Sequence, residues 1–358
     1  MRPLRVLVVD DSAVNRRTIA DLLGQMPGVT VIGVAQDGDE ALRYAASMAP
    51  DMITLDLEMP RMDGFTFLRL LMASRPAPVV VVSSHSAKEN VFRALELGAL
   101  DFIAKPDTYL TSQATGVREQ LDAMVSMVRQ LAPARAQGRR SALPRQETQP
   151  NLSMPPDHKR VSAARLMVIA ASTGGPTALL DIFSQLPPQS DTAIVVAQHM
   201  PERFTKAFAD RLARASQFRV REAEGTQELF AAEAWVCPGG KSVEIETNAD
   251  GRSFARVVDA LPSDRYAPSA DRLFRSAARG LGKKVTGVVL TGMGDDGAAG
   301  VVEIKNAGGQ VFVESEETAV IYGMPRCAKQ TGVVDEVWPL QVLVARLAAL
   351  VGKPEKHA

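Results

Sequence analysis

The feature that most constrains the fold is an alternation of short apolar runs with amphipathic stretches, present in two separate regions of the chain. In the first region Leu4 to Val9, Val29 to Val34, Met52 to Leu55, Val79 to Val82 and Asp101 to Ala104 read as strands. Helical patterns such as Asp39 to Met48 and Lys88 to Leu97 fill the gaps. Strict alternation predicts a parallel, doubly wound sheet with its ligand site at the carboxyl ends of the strands. A second α/β region begins at Arg165, with strands predicted at Leu166 to Ala170, Ala193 to Ala197, Ala234 to Cys237 and Val285 to Leu290. Phe204 to Ala215 and Pro268 to Arg279 read as amphipathic helices there. Ser242 to Val258 reads as a hairpin turning at Asn248-Ala249-Asp250-Gly251.

Between the two regions the character changes. From about Leu131 to Ser162, five prolines accompany Gln, Arg and Ser with few apolar residues, which is linker composition. A chain of 358 residues is too long for one ordinary core. The division read from the sequence is 1–122, a helical extension and linker at 123–161, and a second α/β domain at 162–354. The linker arginines (Arg135, Arg139, Arg140, Arg145) lack aromatic interleaving and a helix-turn-helix pattern, so they read as solvated rather than as a nucleic-acid patch. Lys plus Arg balances Asp plus Glu at 41 each, leaving no net field to attract nucleic acid or an anionic membrane. Two distant cysteines, Cys237 and Cys327, read as small hydrophobes in a reducing compartment. No apolar run reaches transmembrane length and the N-terminal run is too short for a signal peptide, so the expectation is a cytoplasmic protein without membrane insertion.

The strand ends of the first region carry the chemistry. Strand one ends at Asp10-Asp11, strand three at Asp56, strand four at Ser83 and strand five at Lys105-Pro106. In a parallel sheet these ends share one edge. Three carboxylates there repel one another, and a hard, oxygen-seeking cation such as Mg²⁺ would relieve them. With that charge screened, Asp56 could attack a phosphoryl donor, and Ser83 and Lys105 could bind the phosphoryl oxygens. Turn and N-cap aspartates are the plain alternative, but it does not account for matching residues at successive strand ends. The motifs V-V-D-D-S, L-D-L-E-M-P-x-M-D-G, V-V-S-S and L-G-A-L-D-F-I-A-K-P resemble those of response-regulator receiver domains over about residues 4 to 122. The resemblance implies a flavodoxin-like five-stranded parallel sheet, with Asp56 as phosphoacceptor for a histidine kinase. It also implies Mg²⁺ held by Asp10, Asp11, Asp56 and the backbone carbonyl of Glu58, and a cis Lys105-Pro106 peptide. Ser83 stands at a switch position often held by threonine.

In the second region Ser172 lies in V-I-A-A-S-T-G-G-P, where a strand breaks into glycines and a helix begins. Such a turn exposes a serine beside unpaired backbone N–H groups, which suits a nucleophile. An N-cap serine would also fit. His85 follows the first region's fourth strand, His158 lies in the linker and His357 in the tail. His199, in V-V-A-Q-H-M-P, is thus the histidine available to the folded second domain. L-T-G-M-G-D-D-G-A (Leu290 to Ala298) brings glycines and two aspartates to a third strand end, where either Asp295 or Asp296 could orient the imidazole. The loop lacks the G-K-[ST] ending of a phosphate cradle.

Residues 165 to about 350 resemble the catalytic domain of chemotaxis protein-glutamate methylesterases of the CheB type. The resemblance rests on A-S-T-G-G-P, A-Q-H-M-P-E-R-F-T-K-A-F-A-D-R-L, C-P-G-G, P-S-A-D-R-L-F-R-S-A-A, L-T-G-M-G-D-D-G-A-A-G and V-I-Y-G-M-P. It implies a doubly wound domain with a mostly parallel sheet, Ser172 as nucleophile, His199 as base, Asp296 as orienting acid and the backbone amide of Met293 as an oxyanion donor. The implied activity is hydrolysis of glutamate γ-methyl esters, and deamidation of glutamines, on chemoreceptors, with no cofactor for the ester step. Phosphorylation is expected to loosen a receiver that covers the catalytic site, and the protein is expected to act as a monomer. Lys241-Ser242 departs from the histidine and methionine that many relatives carry, which leaves the role of that loop in the substrate cleft open. A non-enzymatic binding module and a DNA-binding response regulator are the competing readings. The first is disfavoured by the complete set of triad residue types, the second by the apolar, strand-first sequence after Arg165.

Overall fold

The computed structural model describes residues 2–83, 88–105, 112–136, 160–187 and 189–352. The chain forms two compact units, Met1–Glu147 and Thr148–Ala358. His85, His158, His357 and the Lys105-Pro106 peptide lie outside the described residues.

In the first unit strands β1 (Leu4–Val9), β2 (Val29–Ala35), β3 (Met52–Leu55), β4 (Val79–Ser83) and β5 (Asp101–Ala104) alternate with helices α1 (Ala13–Gly24), α2 (Gly38–Met48), α3 (Gly64–Ser74) and α4 (Lys88–Glu96). Helix α5 (Ser112–Ala136) follows. The strand order is β2-β1-β3-β4-β5 and every pairing is parallel, as expected from the sequence. Strands β3 and β4 are buried along their whole length, because helices cover both faces of a parallel sheet. Three of the helices start on side-chain caps: Ser12 accepts from Asn15 N, Asp37 from Glu40 N and Asp63 from Thr66 N. The order of winding reverses after β2, with β2 on one side of β1 and β3 on the other, so the carboxyl ends of β1 and β3 open a crevice at the switch point.

The second unit opens with β6 (Arg165–Ala171), α6 (Gly175–Phe183), β7 (Thr192–Gln198), α7 (Glu202–Ala215), β8 (Arg219–Glu222), β9 (Thr226–Glu228) and β10 (Glu233–Val236). It continues through β11 (Lys241–Thr247), β12 (Ser253–Asp259), α8 (Ala270–Leu281), β13 (Val285–Val289) and α9 (Ala298–Asn306). It ends with β14 (Gln310–Glu314), α10 (Met324–Gln330), β15 (Glu336–Trp338) and α11 (Leu340–Val351). Seven of these strands form a parallel sheet in the order β15-β14-β13-β6-β7-β10-β8. Strands β11, β12 and β9 form a small antiparallel sheet, which contains the expected hairpin with its turn at Asn248 to Arg252. Here the switch point is at β6, flanked by β7 and β13.

Amphipathic helices close the faces. Helix α7 buries Phe204, Phe208 and Leu212, and α8 buries Leu273, Phe274, Ala277 and Ala278, each set at helical spacing. The α8 residues join Leu166, Val168, Val195, Val289, Val301 and Val313 in one core against the central strands. Cys237 is buried, with burial pushing its thiol above the ordinary range, and Cys327 is half-buried; both are free thiols. Among the described residues no helix is long and apolar enough to cross a membrane.

Candidate active site

Both switch points carry the residues that the sequence singled out. In the first unit Asp10 and Asp56 are buried and Asp11 is exposed, and an oxygen from each lies within 4.8 Å of the others. Lys105 Nζ sits 2.6 Å from Asp56 Oδ2 and 2.8 Å from Asp10 Oδ2. Asp10 Oδ1 accepts from Ser12 N and Asn15 Nδ2, whereas the buried Asp10 Oδ2 faces the Lys105 ammonium. Three carboxylates whose hard oxygens lie this close, with one ammonium set between two of them, fit a divalent cation. Burial pushes the Asp56 carboxyl above its ordinary value, the pull of Lys105 offsets this in part, and Asp10 adds to the rise. Lys105 is pulled down by burial, but Asp56 and Asp10 outweigh that and hold its ammonium above the usual range. Ser83 is buried at the end of β4, and its carbonyl accepts from Lys105 N at 2.7 Å. Glu58 is exposed two residues beyond Asp56, and its N–H donates to Asp56 Oδ1.

In the second unit the sheet register sets the site. Ser172 follows β6 directly and is half-buried; its N–H donates to Thr291 O on the β13 side, at 3.1 Å. His199 follows β7, and its N–H donates to Ala171 O at 2.9 Å, so histidine and serine leave neighbouring strands side by side. The amide of Gln198, which is buried, ties the two turns together by donating to Ser172 O and His199 O at 2.9 and 3.0 Å. Gly292 on the adjoining loop is required for this packing, because a Cβ there would stand 2.7 Å from Ser172 Cβ.

The acidic member is Asp296. Its Oδ2 lies 2.8 Å from His199 Nε2, which leaves Nδ1 as the ring nitrogen free to act on a hydroxyl. Asp296 is buried and well supplied with donors. Ala270 N donates to Oδ2 at 2.7 Å, Asp271 N to Oδ1 at 2.9 Å and Ser269 Oγ to Oδ1 at 3.3 Å. The carboxylate therefore sits on the N-terminus of α8, where unpaired N–H groups and the helix dipole favour an anion. Burial alone would raise its pKa, but His199 and the two backbone N–H groups outweigh this and hold it below the ordinary value. Asp295 points elsewhere. It is exposed, faces Arg265 Nη1 at 3.2 Å and accepts from Tyr266 Oη at 2.9 Å. The backbone N–H of Met293 donates to no acceptor among the described residues, and Met293 is half-buried in the loop between Thr291 and Asp296.

Several residues here escaped sequence reasoning. Thr291 is a buried hub: its Oγ1 donates to Thr173 O and accepts from Ile321 N, and its N–H donates to Glu314 Oε2. The V-I-Y-G-M-P segment completes the frame, since Gly323 N and Met324 N both donate to Gly292 O. Tyr266 stacks on the His199 ring. Thr291 and the V-I-Y-G-M-P segment lie in motifs visible in the sequence, as does Gln198 directly before the histidine, but their residue types gave no role. The Lys241-Ser242 departure also finds its place. Lys241 pairs with Asp259 at the surface, whereas buried Ser242 accepts from Ser269 N and so props the helix end that holds Asp296.

Comparison with known proteins gives the family of each unit. Residues 167–347 match the CheB methylesterase family and residues 6–112 the response regulator receiver domain. A protein-glutamate methylesterase/protein-glutamine glutaminase of Anaeromyxobacter dehalogenans is 49% identical over 97% of this chain and 95% of its own length. One from Geobacter sulfurreducens is 45% identical, over 94% of each. The crystal structure of the Thermotoga maritima CheB methylesterase catalytic domain superposes with a TM-score of 0.51 at 36% identity, covering 53% of this chain and all of that one. With one serine, one histidine and one buried aspartate gathered at the switch point of its larger sheet, and a receiver domain preceding them, the chain belongs to the CheB methylesterase family.

Proposed function

We propose that this chain is a phosphorylation-controlled serine esterase that hydrolyses glutamate γ-methyl esters on chemoreceptors and deamidates receptor glutamines. The observation that carries the reading is the 2.8 Å contact of His199 Nε2 with Asp296 Oδ2, made by a histidine whose backbone is bonded to the residue next to Ser172. Asp296 holds the proton on Nε2 and so fixes the tautomer with a basic Nδ1. Nδ1 takes the proton of Ser172 as Oγ bonds to the ester carbonyl carbon. The Met293 N–H stabilises the oxyanion of the tetrahedral intermediate. The imidazolium returns its proton to the departing methoxide, and methanol leaves. Water then attacks the acyl-serine with Nδ1 as base, glutamate is released and Ser172 is restored. With an amide substrate the leaving group is ammonia and the remaining steps are the same.

Residues 1–122 serve as the regulatory domain, 123–161 as extension and linker, and 162–354 as the catalytic domain. Asp56 is the phosphoacceptor for a histidine kinase, and Ser83 and Lys105 bind the phosphoryl oxygens. Asp10, Asp11, Asp56 and the Glu58 carbonyl would hold Mg²⁺, which when bound screens the phosphoryl charge from the attacking carboxylate. The protein works as a cytoplasmic monomer on receptors at the membrane surface.

The test is methanol release from methylated receptor membranes. Ser172→Ala is expected to lose at least about 10³-fold, leaving only residual catalysis by the oxyanion donor and binding. Retained release would remove Ser172 from the mechanism.

A further inference from the structure

Two consecutive aspartates meet the base and its surroundings in different ways. Asp296 grips one edge of the His199 ring. A single edge hydrogen bond sets the distance of that edge but leaves the tilt of the ring plane free. The tilt is set by Tyr266, whose ring lies flat against His199 with centroids 4.9 Å apart and planes 6° from parallel. Tyr266 is in turn held at its far end, where its hydroxyl donates to Asp295 Oδ1 at 2.9 Å. Burial first, and then the Asp295 carboxylate, keep that phenol above its ordinary range, so it remains a donor. Gly294 forms the floor beneath it, in the left-handed region at φ 97°, and a Cβ there would stand 2.4 Å from the Tyr266 oxygen. The Arg265–Asp295 pair is mostly exposed, and pairs of that kind add little stability. Asp295 is therefore explained better by what it holds than by its ion pair.

We propose that Tyr266 is a positioning residue for the esterase reaction and that Asp295 acts through its hydroxyl, the two bracing the plane of His199. This rests on the reading of His199 as the base. The brace serves both halves of the proton transfer. It fixes the ring plane in which Nδ1 takes up the serine proton, and the Tyr266 face attracts the imidazolium once the proton has moved. The single loop from Met293 to Asp296 thus supplies the oxyanion donor, the floor of the brace, its clamp and the orienting acid.

The experiment uses the full-length chain and methylated receptor membranes, with kcat and KM for methanol release measured for Tyr266→Ala, Tyr266→Phe, Asp295→Ala and the Tyr266→Phe/Asp295→Ala double variant. Tyr266→Ala is expected to lower kcat about tenfold, the scale of one aromatic stack, with KM within about twofold. Tyr266→Phe keeps the ring and is expected to recover most of that loss, remaining about threefold below wild type. Asp295→Ala should match it, and the double variant should fall no further than either single, because both remove the same contact. Wild-type kcat in Tyr266→Ala, a loss confined to KM, or a double variant equal to the product of the singles would each overturn the brace. Should Tyr266→Ala prove poorly folded by thermal denaturation, the Phe and Asp295 cycle decides alone. Ser172→Ala is run beside them. If it is inactive while Tyr266→Ala is normal, only the brace fails; if it is active, the assignment of the triad fails first.

Discussion

Glu314 ends β14 with a carboxylate that no cation meets among the described residues. Its oxygens accept from Thr291 N at 2.8 Å and Thr318 Oγ1 at 3.0 Å, and it is 1% exposed. Burial pushes its pKa from 4.5 up to about 7; the two donors offset part of this, and Asp181 adds to it. Below pH 4.5 the folded and unfolded chains both carry the proton, and the site costs nothing. As pH rises toward 7 the unfolded chain releases its proton first, so stability falls by about 1.4 kcal/mol per pH unit. The accumulated loss is about 3 kcal/mol by pH 8. Glu314→Gln has no charge to bury and can still offer an oxygen to Thr291 N and an amide to the Thr318 oxygen. Urea unfolding should therefore show the variant gaining on wild type between pH 4.5 and 8, by about that amount. A difference that is flat with pH would sink the claim. At this scale the sequence was legible where residue type alone decides, as for Ser172 and His199. Residue type was silent where a side chain's direction decides, and there the family resemblance alone pointed to Asp296 over Asp295. Asp295 and Asp296 are identical in type and adjacent in position, and only the angle of the loop sends one to the histidine and the other to Tyr266. Glu314 and Thr291 gave no signal because the contact between them joins positions 23 residues apart.

Helix α8 shows how an element can serve as part of a site. Its cap, Ser269, accepts from Arg272 N and donates to Asp296 Oδ1, while the next two N–H groups aim at the same carboxylate. The helix N-terminus thus supplies charge complementarity that would otherwise need a buried cation. Ser269→Ala removes the cap and one of the three donors that the start of α8 gives Asp296. It should cost about 1 kcal/mol of stability in chemical denaturation. Methanol release should drop only a few-fold, because Ala270 N and Asp271 N remain on Asp296. Ser269→Thr, which keeps a hydroxyl, should restore both; an unchanged denaturation midpoint in the alanine variant would count against the cap. Element positions in the sheet also explain what the sequence concealed. The central strands β6 and β7 are apolar runs buried from end to end or nearly so, and they read directly. The missed strands are short or lie toward the edges. β8 is Arg-Val-Arg-Glu at one rim, β15 is three residues at the other, and β9 is a three-residue edge of the small sheet. An edge strand with a solvated face carries no continuous apolar run to detect. β14 is buried, but its apolar core is only Val311-Phe312-Val313 between helical stretches.

At the scale of the whole molecule, two parallel sheets each place their chemistry at a switch point, and the two sites have different requirements. The receiver crevice gathers Asp10, Asp11 and Asp56 with Lys105 as the one cation paired to them among the described residues. The proposed phosphoryl transfer to Asp56 would bring further negative charge to this cluster, which one lysine cannot balance. The esterase site has the opposite character. Its anion, Asp296, is already satisfied by a helix N-terminus and an imidazole, and the proposed steps at Ser172 involve proton movements between protein groups alone. Divalent cation removal should therefore separate the two functions. In the full chain, a small acyl phosphate is expected to raise methanol release from methylated receptor membranes when Mg²⁺ is present. Adding a chelator in excess should abolish that increment and leave the basal rate within about twofold, since the catalytic step depends on the triad and its oxyanion donor. Asp56→Ala should behave like chelated wild type, with basal release retained and no response to the acyl phosphate. A basal rate that collapses with the chelator would place a metal requirement at the esterase site. A stimulated rate in Asp56→Ala would move the phosphoryl input to another residue.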